Sequence, residues 1–403
     1  MHKIERLLQT LAPKGVEFRK LGEVLEYDQP NKYCVTSKEF DKSYPTPVLT
    51  AGKTFILGYT NEKDNIYQAS KSSPVIIFDD FTTATQWVDF PFKVKSSAMK
   101  ILLPKNPTIN IRFIFFYMQT IPYNISGEHT RQWISRYSQI TIPIPPLEIQ
   151  QEIVKILDAF TELNTELNTE LNTRKKQYEY YQNMLLDFKD ANQNHKDAKE
   201  RLAQKTYPKR LKTLLHTLAP KGVEFRKLGE VCDFQKGKSI TKKAVTFGKV
   251  PVISGGRQPA YYHNEANRSG ETIAISSSGV YAGYVSYWDI PVFLADSFSV
   301  SPKQKTLMPK YLFHYLTTQQ DAIHATKSTG GIPHVYSKDL QNFLIPIPPL
   351  EIQQEIVKIL DQFLALTTDL LAGIPAEIEA RKKQYEYYRE KLLTFKPLTL
   401  QRS

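Results

Sequence analysis

From Leu147 to about residue 189, apolar side chains return every three or four positions. Ile149, Ile153, Ile156, Phe160, Leu163, Leu167, Leu171, Tyr178, Tyr181, Leu185 and Phe188 mark one stripe, with Glu, Gln and Lys between them. That spacing predicts a single amphipathic helix of roughly 60 Å at ~1.5 Å per residue. Pro145 and Pro146 stand at its start, where proline is tolerated. The pattern returns from Leu350 to about residue 396, with Gly373 and Pro375 as a point of interruption. Neither stripe can be buried by its own helix, so the two are expected to pack on each other as an antiparallel pair. Elsewhere the period changes. Residues 75–103 and 272–300 are rich in β-branched and aromatic residues, punctuated by Gly, Pro and Asp, and read as short strands and turns. Residues 111–120 and 309–320 each read as a single helix. Residues 190–216 are polar and basic and read as a linker or partly helical hinge.

The pattern repeats because the chain is written twice. TLAPKGVEFRKLGEV occupies 10–24 and 217–231, IPIPPLEIQQEIVKILD occupies 142–158 and 345–361, and RKKQYEYY occupies 174–181 and 381–388. The offsets are 207, 203 and 207, a period near half the chain and far longer than that of solenoid repeats. Between the constant blocks the copies have diverged: PVLTAGKTFILGYTNE and PVISGGRQPAYYHNE share only a strand, a small-residue turn and an aromatic stretch. A constant frame thus carries a variable insert. Inside the first long helix the tetrapeptide TELN is written three times from Thr161. Four residues are close to one helical turn, so adding or removing a unit lengthens the rod while rotating the apolar seam by only ~40°.

Charge narrows the partner. The 403-residue chain carries a net charge of +12, and a large basic excess favours a polyanion such as nucleic acid. Cys34 and Cys232 are distant and form neither a disulfide framework nor a zinc site, which fits a reducing cytoplasm. The N-terminal stretch lacks the apolar core of a signal peptide, and the apolar runs are too short to span a membrane.

No catalytic, metal or cofactor constellation is found. AGKT at 51–54 and KGKS at 236–239 lack the first glycine of a phosphate-binding loop and read as turns. Ile144-Pro145-Pro146-Leu147 and Ile347-Pro348-Pro349-Leu350 have the wrong ends for an amino-methyltransferase signature. The histidines form no zinc motif, and Asp79-Asp80 lacks a lysine at nuclease spacing. The variable inserts do hold residues suited to reading bases and phosphates. The candidates are Lys53, Arg131 and Gln132 in the first copy, and Arg257, Tyr261, Arg268 and Lys327 in the second.

Taken together, the twin IPIPPLEIQQEIVKILD blocks, the PVLTAG and PVISGG strands, the HNEANRSGETIAISSSGVYAG stretch, the LLxFK helix ends and the tetrapeptide repeat resemble the specificity subunits of type I restriction-modification enzymes. The resemblance covers essentially the whole chain. It implies an α+β fold: two globular strand-rich target recognition domains separated by two long antiparallel helices forming a coiled coil, with an internal pseudo-two-fold repeat. The corresponding divisions are 1–146, a spacer helix at 147–189, a linker at 190–216, a second recognition domain at 217–349, a second spacer at 350–396 and a tail at 397–403. The resemblance further implies a non-catalytic subunit that binds double-stranded DNA. Each domain would read one half of a bipartite target, alongside two modification subunits and a restriction motor-nuclease. Leu163, Leu167, Leu171, Ile149, Ile153, Ile352 and Ile356 are the expected spacer and partner-docking positions. A fused standalone methyltransferase-nuclease and a non-specific coiled-coil adaptor are the alternatives. The missing motifs argue against the first, and the divergent inserts and charge against the second.

Overall fold

The two copies of the repeated sequence build the same set of elements. A computed structural model describes residues 2–50, 54–122, 130–188, 207–303, 305–328, 331–368 and 373–398. The chain divides into two compact units, Met1–Leu167 with Ile378–Ser403, and Asn168–Glu377. The division falls inside the TELN repeat. Each unit therefore contains the start of one copy's long helix and the end of the other's.

In the first unit, β1 (Glu17–Lys20) pairs antiparallel with β9 (Thr141–Ile144). A four-stranded sheet follows the order β2 (Leu25–Asp28), β8 (Met99–Pro104), β5 (Val75–Asp79), β6 (Thr85–Val88). A three-stranded sheet follows β4 (Ile56–Thr60), β3 (Thr46–Leu49), β7 (Lys93–Val94), with β3 and β7 parallel. The second unit repeats this strand for strand. β10 (Glu224–Lys227) pairs with β18 (Leu344–Ile347) in the register of β1 and β9, Glu224 opposite Ile347 as Glu17 is opposite Ile144. Its sheets run β11 (Cys232–Lys236), β17 (Ser297–Pro302), β14 (Thr272–Ser276), β15 (Val285–Trp288), and β13 (Tyr261–His263), β12 (Val250–Ile253), β16 (Phe293–Leu294). β5 and β14 are buried along their whole length. Their β-branched runs read as central strands for that reason.

The constant blocks fix each long helix to its sheets. The first helix is continuous over Leu147–Leu186, 40 residues. In its first turn Gln150 is fully buried; its amide donates to Thr108 O (3.1 Å) and Pro145 O (2.7 Å) and accepts from Asn110 N (2.8 Å). Gln353, at the same place in Leu350–Thr368, donates to Thr306 O (2.8 Å) and Pro348 O (2.7 Å) and accepts from Met308 N (2.9 Å). Asn110 and Met308 are the N-caps of the helices Ile111–Met118 and Pro309–Thr318, so each glutamine joins two helix starts. Two turns on, Asp158 accepts from Arg112 and Asp361 from Lys310 (2.7 Å) and His314 (2.9 Å). Burial pushes the Asp361 carboxyl up, but the His314 and Lys310 contacts outweigh it and hold the group below its ordinary value. Glu152 pairs with Lys3 (2.5 Å), and Glu355 with Arg210 (3.1 Å). These contacts dock the helices His2–Leu11 and Lys209–Leu218.

The second copy's stripe, expected as a twin helix from Leu350 to about residue 396, forms two helices, Leu350–Thr368 and Ile374–Leu393, and the ends of Leu147–Leu186 and Ile374–Leu393 are docked alike. Leu185, Leu186 and Phe188 are buried with Leu211, Leu215 and Val223, and Leu392 and Leu393 with Ile4 and Ile153. Val16 N donates to Lys396 O (3.0 Å), and Leu398 N to Val16 O (2.9 Å). In the first unit Phe160 stacks on Tyr388 at 5.5 Å; in the second Tyr181 stacks on Phe363 at 5.0 Å. Within TELN, Leu163 and Leu171 are half-buried and Leu167 is buried, while the glutamates are exposed. Thr165 Oγ1 donates to Thr161 O and Thr173 Oγ1 to Thr169 O, four residues back in each case.

One expectation changes here. The segment expected to be one helix at 309–320 is two, Pro309–Thr318 and Gln320–Ala325, because the backbone turns at Gln319. The described part of the expected linker or partly helical hinge does hold a helix, Lys209–Leu218, whose Leu211 and Leu215 are buried; residues 189–206 lie outside the described residues. Gln150→Ala strips partners from two carbonyls and one N–H around a fully buried side chain. It should cost on the order of 3 kcal/mol, read as a lowered unfolding midpoint. Lys3→Ala breaks an exposed ion pair and should cost under ~1 kcal/mol.

Candidate nucleic-acid interface

The variable loops of the second unit converge at one end of its sheets. Ser278 bridges to His334, Gly279 N donates to Pro333 O (3.0 Å), and Val335 N to Ser277 O (2.9 Å). Those bonds bring the turn after β14 against the 333–335 segment. On it the Arg257 guanidinium lies over the rings of Tyr281 (4.9 Å) and Tyr284 (5.6 Å). Lys327 Nζ reaches Val280 O at 3.4 Å. Desolvation, followed by the charge of Lys327, lowers the pKa of His324, with a further contribution from Arg257. His334 stacks on Tyr336 (6.0 Å), and Lys338 lies over the same ring (5.5 Å). Val280, Tyr281, Ile332 and Tyr336 are exposed beside these cations. A face of aromatic planes and cations suits base stacking and phosphate contact.

In the first unit the turn after β5, the counterpart of the turn after β14, rests on a buried pair. Lys100 lies 3.5 Å from Asp80, donates to Gln29 and sits over the Tyr27 ring (4.7 Å). Burial lowers the Lys100 pKa; Asp80 opposes this and Arg131 adds to it. Asp80 also accepts from Trp133 N (2.8 Å) through its carboxylate and from Gln132 N (2.8 Å) through its carbonyl. This network fixes the turn that presents Arg131.

The sequence candidates divide by location. Arg257 and Lys327 are brought together, and Arg131 is exposed. Tyr261 is half-buried in β13 opposite Val252. Gln132 is buried, and its amide donates to Thr130. Arg268 donates to Ser299 Oγ (2.9 Å), Asn267 O (2.8 Å), Gln235 O (3.1 Å) and Lys236 O (3.1 Å), so its guanidinium ties β11 to β17. Lys53 lies outside the described residues. Ile149, Ile153, Ile352 and Ile356 are fully buried and serve to seat the helix starts. Sequence reasoning missed Tyr281, Tyr284 and His324; the density of tyrosine in VYAGYVSYW was the available signal.

Arg268→Lys cannot span these acceptors. It should lower stability by about 2 kcal/mol, a drop of roughly 4–8 °C in melting midpoint. Arg257→Ala should leave stability within ~0.5 kcal/mol of the parent while weakening polyanion binding.

A family model described as the type I restriction modification DNA specificity domain matches residues 13–176 and again 220–380. The chain is 40% identical over 434 aligned residues to the type I restriction enzyme EcoR124I/EcoR124II specificity subunit of Escherichia coli, covering 99% of each. Its fold is similar to that of the type I restriction-modification S subunit from M. genitalium, with a TM-score of 0.65, 18% identity, and 94% of this chain and 96% of the other covered. No helix among the described residues is long and apolar enough to cross a membrane.

Proposed function

The chain belongs to the family of type I restriction-modification specificity subunits, and from that membership we propose that it recognises a bipartite duplex DNA target, one half through each unit's variable loops. One observation carries the reading. The same frame, Gln150 and Gln353 with Asp158 and Asp361, holds two loop faces of different chemistry. A shared frame with unlike faces fits two unlike half-sites. In this account the long helices set the gap between half-sites. The divisions 1–146 and 217–349 are the recognition domains, and methylation and cleavage belong to the modification and motor-nuclease subunits that assemble with the chain, two modification subunits per complex. The cytoplasm, where that DNA lies, is the setting. The standalone enzyme and the non-specific adaptor gain no support from the family match.

Within this reading, TELN is a ruler. Deleting Thr165 to Asn168 shortens the helix by ~6 Å, and DNA rises ~3.4 Å per base pair. Leu163 and Leu171 stay near the seam, since four residues overshoot a turn by ~40°. The deletion variant, expressed with its modification subunits, should methylate the same half-sites with the gap shortened by one base pair, two at most. Genome-wide mapping of methylated sites is the measurement; an active variant with the original gap would refute the ruler. A two-residue deletion turns the downstream stripe by ~200° and should abolish assembly.

A further inference from the structure

The connection from β11 to β12, residues 237–249, plays no part in the face built around Arg257. Lys236, Lys238, Lys242, Lys243 and Lys249 are all exposed on it or at its border. No acidic residue occurs between Asp233 and Glu265. Among the described residues, no carboxylate lies within ion-pair distance of any of these lysines. At the tip, Phe247 is 95% exposed.

The tip is held rather than loose. On one side, Thr246 N donates to His263 Nδ1 (3.1 Å), and His263 is itself buried edge-on against Phe293 (5.4 Å). On the other, Gly248 lies against the backbone of His263 and Asn264 so closely that a Cβ would collide with it. The start of the connection is pinned too: Gly237 N donates to Ser297 O (2.8 Å), and Lys238 N to Leu294 O (2.9 Å). With the backbone anchored on both flanks, the Phe247 ring is held facing outward.

The first unit supplies an internal comparison. Its connection from β2 to β3 carries Phe40, which is half-buried against Gly58 with Lys95 over its ring at 5.4 Å. Its charges are mixed, with Lys38, Glu39, Asp41 and Lys42 in sequence. One position in the fold thus holds a tucked ring on a balanced loop in one unit and an exposed ring on a purely cationic loop in the other. A single exposed aromatic is costly in water. Surrounded only by cations, it suits a polyanion whose bases offer flat faces.

We propose that this loop is a second DNA-contacting element of the second unit, absent from the first: its lysines contact phosphates, and Phe247 stacks on or wedges against a base. The proposal rests on the specificity-subunit reading and adds an element and an asymmetry to it.

The test uses the chain assembled with its modification subunits and a duplex bearing the motif that the wild-type complex methylates. Binding is measured against salt. Each lost phosphate contact lowers the salt slope by ~0.9, so Lys242→Ala/Lys243→Ala should lower it by about 2. Phe247→Ala should leave the slope unchanged and weaken binding by about 5- to 150-fold, with Phe247→Trp restoring it. Lys38→Ala/Lys42→Ala in the first unit should leave the slope unchanged. Wild-type binding with unaltered affinity and slope in the loop variants would overturn the proposal and leave the family reading standing. Loss of subunit assembly on Phe247→Ala, with DNA affinity of the assembled fraction unchanged, would also overturn it by assigning the ring to a protein. Failure of the wild-type complex to bind its methylated motif would instead sink the underlying reading.

Discussion

A buried glutamine at the first turn of each long helix is the joint on which the architecture depends. Gln150 and Gln353 are fully buried, and each makes three hydrogen bonds that tie the preceding proline, the adjoining connection and a second helix start together. The net gain of each bond is about 1 kcal/mol, but an orphaned buried partner costs ~1–3 kcal/mol. The requirement is therefore stricter than the average strength suggests. Asp158 and Asp361 repeat the device two turns on with charged partners. The partners differ between copies, Arg112 in one and Lys310 with His314 in the other, while the aspartate does not.

Fixing the frame in this way frees the loops. β10 pairs with β18 in the register in which β1 pairs with β9, so both units start from the same frame while the connections between their sheet strands differ. Their chemistry can then differ. The second unit has Arg257 over two tyrosines; the first has Lys100 and Asp80 sealed beneath Arg131. Sequence-specific recognition needs this arrangement, because unlike base edges require unlike donors and acceptors on similar scaffolds.

The repeated frame was legible because identity over 15 and 17 residues needs no structural interpretation. The central strands and long helix were legible because burial on both faces, or on one stripe, imposes a period on the sequence. The candidate interface was only partly so. Arg257 and Lys327 stood out by type and do meet. Arg268 stood out equally, yet most of its acceptors lie 31 to 33 residues away on β11 and β17. Local sequence carries no trace of that pairing. Gln132 was obscured for a related reason: its partner Asp80 is supplied by a different turn. Tyr281 and Tyr284 resembled strand residues until the guanidinium above them gave them a second role.

The central claim is that each unit reads its own half of the target on a common frame. Exchanging residues 25–141 for the equivalent segment of another family member, then mapping genome-wide methylation by the reconstituted complex, tests it most directly. The account predicts that one half-site changes, while the other half-site and the gap stay as they were. A change in both half-sites, or in neither by an active complex, would contradict it.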